Sequence, residues 1–461
     1  MTMSDMPTNT DVLVLGCGAA GLSAAIEAAD LGLKVVALES EDELAGSTRL
    51  SAGHCSFYGT GIVEGSREEF AADLRDSHHG DDDPELVELY LNHVPGAYRR
   101  LVDDLGFHYD KSLQLAHMRR AWMHELSGDV RGGAEIGRLL EVAARQRGVD
   151  IRVAARARRL IRNDAGRVVG AEVETTGGVV TILAAKGVVL ATGGFTRNLA
   201  LMTNFGGPNG ARMLPIGGSG CRGDGLIMAL ALGAATSFIS AGVAPTGPAE
   251  PKTQKGSLVA YCGAVLLNSD GERFANEAGM YSDVSVAALK QEDETIFQIY
   301  DETVREAYKN SMWGRVLTGF PEFKSDTLEE LFDQIAAERR FDAQAAVATL
   351  GRYNESVRRG HDPEFGRDHM VGTAGKPTEI TTGPFYGIIT VPGTTQNNGG
   401  LKVDGGLRVI DVFGKPIDGL YAAGEIVGGF HGNGYLSGTH VGMALVFGQL
   451  AGKAAAGAAK A

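Results

Sequence analysis

The chain has 461 residues, of which 44% are hydrophobic, and its formal net charge is −14 at pH 7. This length and hydrophobic content predict two or three folded domains with a large buried core, and they exclude disorder as the main state. The acidic balance argues against nucleic acid and anionic membrane surfaces as main partners, because both repel negative charge.

The N-terminal segment and the cysteines give expectations about location. Residues 1–10 are polar and lack the basic start and apolar stretch of a secretory signal, and no run of about 18 apolar residues predicts a membrane span. Cys17, Cys55, Cys221 and Cys262 lie far apart without CxxC spacing, which is typical of reduced structural or cofactor-adjacent thiols. We therefore expect a cytoplasmic protein with no membrane span.

The first predicted element is a strand, a glycine-rich turn and a helix. The apolar run 11–15 predicts the strand, Gly16-Cys-Gly-Ala-Ala-Gly21 forms the turn, and the alanine-rich segment 22–31 has helical spacing. The three glycines suit a tight bend, close approach of a pyrophosphate, and close packing of helix on strand. The phosphates would lie over the helix N-terminus, where N–H groups and the helix dipole favour anions. We predict cofactor contacts at Gly16, Gly18, Ala19, Ala20 and Gly21.

A second apolar run, 34–38, predicts the next strand and leads into Glu39. Glu39 follows Gly21 by 18 residues (39 − 21 = 18), which places its carboxylate where it can accept hydrogen bonds from a ribose diol. A glycine-rich turn alone is a weak signal, but the strand, helix and acid together favour a dinucleotide site.

Helices and a small antiparallel sheet are predicted next. The segment Asp82-Asp-Pro-Glu85 has the acid and proline of a helix start, and a further helix covers about 134–147. The pair His78-His79 precedes these acids, but a solvated helix entrance explains them as well as a metal site does, so we expect no metal. Alternating apolar residues predict strands at 149–153, 170–174 and 179–183, inserted into the nucleotide-binding domain.

A buried strand is predicted at 187–195 and ends in Ala191-Thr-Gly-Gly194. In a dinucleotide fold a returning strand passes under the cofactor, so we predict contacts at Ala191, Thr192 and Gly193. A helix follows at 226–232. From about 235 to 372 the glycine content falls and charged helical segments appear, which indicates a separate capping domain.

The predicted fold class is therefore α/β, with a Rossmann-like cofactor-binding domain and an inserted α+β capping domain that binds the substrate. The cofactor-binding domain would consist of residues 1–234 and 373–461, and the capping domain of residues 235–372. The last predicted helix covers about 441–451 and closes the first domain.

Five motifs in this order resemble one family over most of the chain: the flavoproteins of the fumarate reductase and succinate dehydrogenase type, which include the 3-ketosteroid dehydrogenases. The motifs are the glycine turn with Glu39, Ala45-Gly-Ser47 with Ser51-Ala-Gly53, Ala191-Thr-Gly-Gly194, Glu272-Arg-Phe-Ala-Asn-Glu277, and Gly419-Leu-Tyr-Ala-Ala-Gly-Glu425.

The resemblance implies FAD and a capping domain that closes over its isoalloxazine ring. It places Glu39 at the adenosine ribose, Glu425 toward the ribityl chain, and the second motif near the flavin. The further implied cofactor contacts are Ser40, Gly46, Ser47, Ser51, Ala52, Gly53, Asp224, Gly424 and Gly438.

Two absences refine this expectation. Relatives of the succinate dehydrogenase type carry FAD on a histidine in the segment corresponding to residues 45–51, which has no histidine here, so we expect non-covalent FAD. No second glycine-rich turn with a strand and an acid appears, so no NAD(P)H domain is predicted and the electron acceptor is an unidentified partner.

Three departures from the fumarate reductase pattern indicate the substrate. Tyr281 stands where those enzymes place an arginine as proton donor, Tyr435 stands where an arginine holds a substrate carboxylate, and Thr395-Gln-Asn397 corresponds to a histidine pair. Tyrosines replace bidentate arginines poorly in binding a dicarboxylate, but they suit a ketone. The Gly434-Tyr-Leu-Ser-Gly438 arrangement is similar to the ketosteroid dehydrogenase branch, which performs desaturation.

The resemblance and the chemistry together give a mechanism. The Tyr435 hydroxyl and a backbone N–H near Thr439 would bind the ketone oxygen and stabilise the developing enolate. Tyr281 or Ser437 would take the α-proton, while the β-hydrogen leaves as hydride to flavin N5. A tyrosine base requires a lowered pKa or a proton relay at neutral pH, because its ordinary pKa is about 10. His431 is expected to be a scaffold or flavin-edge residue.

The segment His117-Met-Arg-Arg-Ala-Trp-Met-His124 is the other candidate for substrate contacts, through Trp122 and through Arg119 or Arg120. An arginine there would hold a substrate carboxylate and favour a small oxo-acid such as 4-oxocyclohexanecarboxylate. A surface loop with charged ends explains the segment equally well, and an apolar ring system such as a steroid would then be favoured.

The leading hypothesis is an FAD-dependent dehydrogenase that introduces a double bond α,β to a ketone, with a small-molecule ketone as its partner. The alternatives are a fumarate-reductase-like ene-reductase acting on an activated double bond, and a non-catalytic flavin subunit of an electron-transfer complex. The direction depends on the flavin potential and the electron partner, not on these residues.

Overall fold

The structure is a computed structural model. It describes residues 9–44, 46–115, 117–127, 132–239, 243–244, 247–279, 281–311, 313–314, 318–371 and 375–457. Its helices, in chain order, are α1 Ala19–Asp30, α2 Gly46–Leu50, α3 Arg67–Ser77, α4 Pro84–Asp104, α5 Gly133–Gln146, α6 Leu199–Phe205, α7 Gly207–Gly210, α8 Asp224–Leu230, α9 Tyr281–Ala288, α10 Glu302–Asn310, α11 Leu328–Glu338, α12 Ala343–Arg359 and α13 Thr439–Ala455.

The strands are numbered in the same way. They are β1 Asn9–Leu15, β2 Val35–Leu38, β3 Cys55–Ser56, β4 Tyr109–Leu113, β5 Met123–Leu126, β6 Asp150–Arg152, β7 Arg156–Arg162, β8 Val168–Thr175, β9 Gly178–Leu190, β10 Leu214–Pro215, β11 Thr236–Ser237, β12 Val243–Ala244, β13 Gly247–Glu250, β14 Lys255–Gly256, β15 Val265–Leu267, β16 Ile296–Asp301, β17 Phe323–Ser325, β18 Phe385–Thr394, β19 Gln396–Asn397, β20 Gly400–Leu401, β21 Arg408–Ile410 and β22 Pro416–Ala422.

The first sheet has the strand order β21-β22-β9-β1-β2-β6, with parallel pairing from β22 through to β6. The last four residues of its central strand β1, Val12 to Leu15, are apolar and buried, as expected of a parallel sheet covered on both faces. Helices α1 and α13 pack together beside it. Gly448 and Gly452 of α13 make this close approach possible, because a Cβ atom at either position would lie within 2.4 Å of a carbonyl oxygen of α1.

Three predicted strands differ from the strands that the structure shows. The segment 149–153 contains β6, which is not part of a small antiparallel sheet but pairs in parallel with β2 at the edge of the first sheet. The segments 179–183 and 187–195 were predicted as separate strands, but residues 178–190 form the single strand β9. The first half of β9 pairs antiparallel with β8 and its second half pairs in parallel with β1 and β22. Its residues change from largely exposed to buried at that transition.

The second sheet is built around β18, which pairs with β10, β13, β16 and β17. Helices α11 and α12 contribute to the separate apolar core beneath this sheet. The division of the chain into domains stays a prediction, but this sheet extends past the predicted boundary at residue 372, because β18 covers 385–394. The apolar residues of β18 pack into the core of the capping region.

The segment 272–277, one of the five motifs, has a structural task in the second sheet region. Arg273 forms buried ion pairs with Glu277 at 2.7 Å and with Asp362 at 2.9 Å. Arg367 is also buried and lies 3.7 Å from Glu277. Each of these charges is compensated, as buried charges require, so the motif ties the segment after β15 to the loop after α12.

Candidate active site

A cavity of about 540 Å³ is lined by residues from both sheets, a size typical of small-molecule and cofactor sites. It brings together motifs from the two ends of the chain. Of the residues predicted to contact a cofactor, those that line it are Gly16, Gly18, Ala19, Ala20, Glu39, Ser40, Gly46, Ser47, Ser51, Ala52, Gly53, Ala191, Thr192, Gly193, Asp224, Gly424, Glu425 and Gly438.

The glycine turn has two crowded positions and one open position. A Cβ atom at Gly16, whose φ is +103°, would lie 2.2 Å from the carbonyl oxygen of Ala191, and a Cβ at Gly21 would lie 1.8 Å from that of Gly16. A Cβ at Gly18 would meet only the Thr48 hydroxyl, at 3.5 Å. Gly16 and Gly21 are therefore needed for packing, whereas Gly18 leaves open space at the N-terminus of α1.

The Glu39 carboxylate is fixed at the end of β2. One oxygen accepts the backbone N–H of Cys17 at 3.2 Å, and the other accepts the N–H of Glu41 and the hydroxyl of Ser40, both at 3.2 Å. These bonds hold an acceptor group at the cavity wall beside the glycine turn.

A half-buried ion pair that the sequence did not predict lies at the same wall of the cavity. Arg156 donates two hydrogen bonds of 2.6 Å to the carboxylate of Asp224, and both residues line the cavity. Asp224 was predicted as a cofactor contact. Arg156 stands among several arginines of β7, and nothing in the sequence distinguishes it from its neighbours.

The wall formed by the second and fifth motifs is held by polar contacts across the chain. The Ser47 hydroxyl accepts the N–H of Gly218 at 3.0 Å and lies 3.2 Å from the Cys221 sulfur. Glu425 accepts the N–H of Asn397 at 2.9 Å. Burial raises the pKa of Glu425 to about 7, although hydrogen bonds from the backbone of Asn397 and Gly194 lower it.

This pKa predicts a pH effect on stability. The folded state binds the Glu425 proton more tightly than the unfolded state, so the contribution of this group is most favourable below the ordinary pKa of 4.5 and is lost as pH rises to about 7. The slope is at most about 1.4 kcal/mol per pH unit. Glu425→Gln removes it, so the difference in unfolding free energy between the two proteins should change across this window. A constant difference from pH 4.5 to pH 8 would contradict the prediction.

Tyr435 and Ser437, two of the predicted catalytic residues, both line the cavity. The Tyr435 hydroxyl accepts the backbone N–H of Gly438 at 3.0 Å. Burial raises the pKa of Tyr435 to about 12, and the hydrogen bond from the Gly438 N–H opposes this shift only in part. Tyr435 is therefore a neutral phenol at physiological pH. The lowered pKa that a tyrosine base requires is not found at this position, whereas a proton donor to a ligand oxygen is compatible with it.

The predicted role of Thr439 needs correction. Its side chain is fully buried, and both its N–H and its hydroxyl donate to the carbonyl of Leu436. The N–H of Gly438 is likewise taken by Tyr435. The first turn of α13 instead brings His440 and Val441 to the cavity.

His440 belongs to a group of three neighbouring histidines, and the sequence prediction did not include it among the site residues. Its ring lies 3.8 Å from that of His431, centroid to centroid, and the ring of His431 lies 5.5 Å from that of His78. Burial lowers the pKa of His440 to about 3, with a further contribution from His78, and burial lowers the pKa of His431 well below 6.5. The rings of His440 and His431 are therefore uncharged at neutral pH. His431 is fully buried behind His440, which agrees with a scaffold position.

Arg119, Arg120 and Trp122 of the predicted substrate loop are not among the residues that line the cavity. Trp122 is fully buried against Phe70, and its indole N–H donates to Asp73 at 2.6 Å. Arg119 pairs with Asp73 and Asp76 of α3, and Arg120 pairs with Glu69 of the same helix. The carboxylates of α3 therefore bind the guanidinium and indole groups that were predicted to bind substrate. Met123 is the residue of this segment that lines the cavity.

Tyr281 begins α9, but its side chain lies outside the part of the chain that the structure describes, and its predicted role stays a prediction. The second sheet and the segments beside it supply cavity residues that were not among the predicted site residues. Among them are Gln254, Lys255, Gly256, Leu258, Trp313, Thr395 and Gln396. Only Thr395 and Gln396 could have been found from the sequence, since they stand where fumarate reductases have histidines.

Metal ligands and membrane-spanning helices are both absent from the described residues. They contain no group of three or more His, Cys, Asp or Glu side chains arranged to hold a metal ion. None of the helices within them is both long and apolar enough to cross a membrane.

Comparison with known proteins identifies the class of this site. A family described as the FAD binding domain matches residues 11–441. The chain is 31% identical over 457 residues to a probable fumarate reductase of Shewanella frigidimarina, covering 97% of this chain and 75% of that protein.

Solved structures give the same class. The open conformation of a flavocytochrome c3 fumarate reductase matches with a TM-score of 0.85 and 31% identity, over 98% of this chain and 79% of that one. A 3-ketosteroid-Δ4-(5α)-dehydrogenase from Rhodococcus jostii matches with a TM-score of 0.74 and 26% identity, over 99% and 98%.

The chain belongs to the FAD-binding domain family. It is an FAD-dependent oxidoreductase that acts on CH–CH groups, with a Rossmann-like cofactor-binding domain and a capping domain. The predicted family, fold class and cofactor are thereby confirmed.

The mode of FAD attachment stays a prediction with a direct test. Because residues 45–51 include no histidine, we expect acid or heat denaturation followed by ultrafiltration to release the flavin into the filtrate. Flavin fluorescence that stays with the precipitated protein would instead demonstrate a covalent bond.

Proposed function

We propose that this protein is an FAD-dependent dehydrogenase that introduces a double bond α,β to a ketone, in a ring by preference. The observation that carries the proposal is the uncharged hydrogen-bonding wall formed by Tyr435, Ser437 and His440 at the start of α13. Tyr435 and His440 are both neutral at physiological pH: burial raises the pKa of Tyr435 further above its ordinary value of 10, to about 12, and lowers the pKa of His440 to about 3. A neutral donor wall suits a carbonyl oxygen.

The arginines of the cavity support the same assignment. Among the described lining residues these are Arg49 and Arg156. Arg49 pairs with Glu141 at 2.7 Å and Arg156 with Asp224 at 2.6 Å, so protein carboxylates occupy both guanidinium groups. A dicarboxylate such as succinate requires opposing charge on both ends, and this pair of arginines does not supply it.

The residues of the cavity fit FAD. The open side of Gly18 lies at the N-terminus of α1, where backbone N–H groups favour a pyrophosphate. Glu39 provides acceptors for a ribose diol, and the glycines and small side chains of the second and fifth motifs leave room for a flat ring system. Bound FAD supplies the acceptor for the hydride equivalent that leaves the substrate.

The side chains of the wall then have distinct tasks. The Tyr435 hydroxyl accepts from Gly438 and would donate its own proton to the ketone oxygen, which raises the acidity of the α-hydrogen. The nearby first turn of α13 adds the favourable end of a helix dipole. The α-proton goes to Ser437 or Tyr281, and the choice between these two bases stays open.

The opposite direction is a second candidate, and the relatives favour it. The sequence relative described above is a probable fumarate reductase, and the same neutral wall would polarise an enone for reduction as well as a ketone for desaturation. The third hypothesis, a non-catalytic flavin subunit, is disfavoured by the polar wall at the cavity. In each direction an external electron partner is expected.

Anaerobic absorbance measurements test the proposal. The oxidised holoenzyme is mixed separately with a 3-ketosteroid, 4-oxocyclohexanecarboxylate, a simple cyclohexanone and succinate. We expect a ketone, and not succinate, to bleach the flavin. If no ketone does so, but chemically reduced enzyme is reoxidised by an enone or by fumarate, the reductase assignment replaces ours.

A further inference from the structure

The capping side of the cavity presents a cation that the proposed reaction does not use. Lys255 lines the cavity from the strand pair β13–β14. Its ammonium group donates to the carbonyl of Thr318 at 3.1 Å, and among the described residues it forms no ion pair with a carboxylate. An ammonium carries three donors, so this one bond leaves capacity for a ligand.

The backbone that carries Lys255 is firmly held. Lys255 pairs with Glu250 in the antiparallel register of β13 and β14. The Glu250 carboxylate is buried and accepts the N–H groups of Lys252 at 3.0 Å and Thr253 at 2.6 Å. The turn between the two strands is therefore closed by its own hydrogen bonds, which fixes the Cα position from which Lys255 extends.

Lys255 is attached to the catalytic side of the cavity through a short series of contacts. A Cβ at the adjacent Gly256 would lie 3.3 Å from Ile216, and Ile216 donates its N–H to Thr394 of β18. Beyond β18, Asn398 donates to the carbonyl of Gly434 at 2.9 Å and lies 3.1 Å from His440. Lys255 and the neutral wall are thus two sides of one cavity, linked through β18.

We infer that Lys255 holds an anionic group of the substrate, so that the substrate is a ketone that also carries a carboxylate. This inference rests on the proposed function. The ketone oxygen would bind the neutral wall of α13, and the carboxylate would pair with the ammonium on the capping side. Such a division of charge distinguishes an oxo-acid from a dicarboxylate, which needs cations at both ends, and from a steroid, which needs none.

The test compares a charged and a neutral ketone of nearly the same shape. The holoenzyme is assayed with 4-oxocyclohexanecarboxylate and with its methyl ester, in the presence of an artificial electron acceptor. We expect the acid to have the higher kcat/KM, with the difference mainly in KM. Lys255→Gln should lower kcat/KM for the acid by about 10- to 100-fold, the range of a hydrogen bond to a charged group, and leave the ester nearly unchanged.

Two further variants separate a local contact from a general effect of charge. Lys252 is exposed like Lys255 but does not line the cavity, so Lys252→Gln removes the same charge from the same strand pair and should keep the preference for the acid. Lys255→Arg retains the charge and should retain most of the preference for the acid. Equal kcat/KM for acid and ester in the unchanged enzyme, or loss of the preference in both glutamine variants, overturns the inference.

Binding provides a readout independent of turnover. The oxidised holoenzyme is titrated with the acid or the ester, and the change in the flavin absorbance spectrum is monitored. The two titrations give the two dissociation constants. Tighter binding of the acid that depends on Lys255 supports the inference even if no ketone reduces the flavin, a result that would refute only the proposed reaction. Equal binding of acid and ester refutes the inference and leaves the ketone assignment standing.

Discussion

Tyr435→Phe lowers kcat by roughly 10²- to 10³-fold while the protein keeps its FAD, the range expected when one donor to a developing oxyanion is removed. The hydroxyl accepts from Gly438, and burial keeps it neutral with a pKa of about 12. Phenylalanine preserves the ring that packs against His431 and His440. The loss should therefore appear in the chemical step, measured as the anaerobic rate of flavin reduction.

A second tyrosine variant provides the control. Tyr421 lies in β22, where its ring packs near Gly187 of β9, and Tyr421→Phe should leave the rate of flavin reduction nearly unchanged. Flavin content and thermal unfolding of both variants show whether the fold is retained. A Tyr435→Phe enzyme with a normal rate of flavin reduction would refute the role assigned to this hydroxyl.

Gly18→Ala weakens FAD binding by roughly 10- to 100-fold, because the added methyl group occupies space that the pyrophosphate needs. In the protein itself the new Cβ would meet only the Thr48 hydroxyl at 3.5 Å, and φ at this position is −73°. The cost to folding should be about 1 kcal/mol or less, as for other changes at a helix N-cap. The dissociation constant is measured by titrating apoprotein with FAD.

Two other glycines make this result specific. Gly21→Ala places a Cβ 1.8 Å from the carbonyl oxygen of Gly16, so it should destabilise the protein whether or not FAD is present. Gly96→Ala, in the exposed part of α4 with open space around its Cβ, should leave FAD affinity unchanged. Normal FAD affinity in Gly18→Ala would contradict the placement of the pyrophosphate at this turn.

Local motifs were sufficient to predict the cofactor side of the site. The glycine turn and Glu39 belong to one βαβ unit, in which the hydrogen-bonding pattern and the chain direction are set by neighbouring residues. The helix start at residues 82–85 was also predictable, because Asp83 caps α4 with its own side chain, accepting from Glu85 and Leu86. In these places residues near in the chain remain near in space.

The predicted substrate contacts depend on which protein acceptors compete for the same donors. Arg119 and Trp122 have the composition of a binding loop, but Asp73 of α3 accepts hydrogen bonds from both. Thr439 stands at the start of α13 as predicted, yet Leu436 takes its donors. A donor's availability depends on which acceptor the folded chain brings to it, and sequence patterns do not contain that information.

Family, fold class and cofactor thus followed from motifs whose physical requirements are local: tight turns, a helix N-terminus and an acid after the second strand. Only the tertiary structure brings Tyr435, Ser437 and His440 to one cavity. Burial in the folded chain lowers the pKa of His440 to about 3 and raises the pKa of Tyr435 to about 12, so the imidazole is uncharged and the phenol stays protonated. The same fold brings Lys255 of the second sheet to this cavity, because the pairing of β13 with β18 joins residues more than 140 positions apart in the chain.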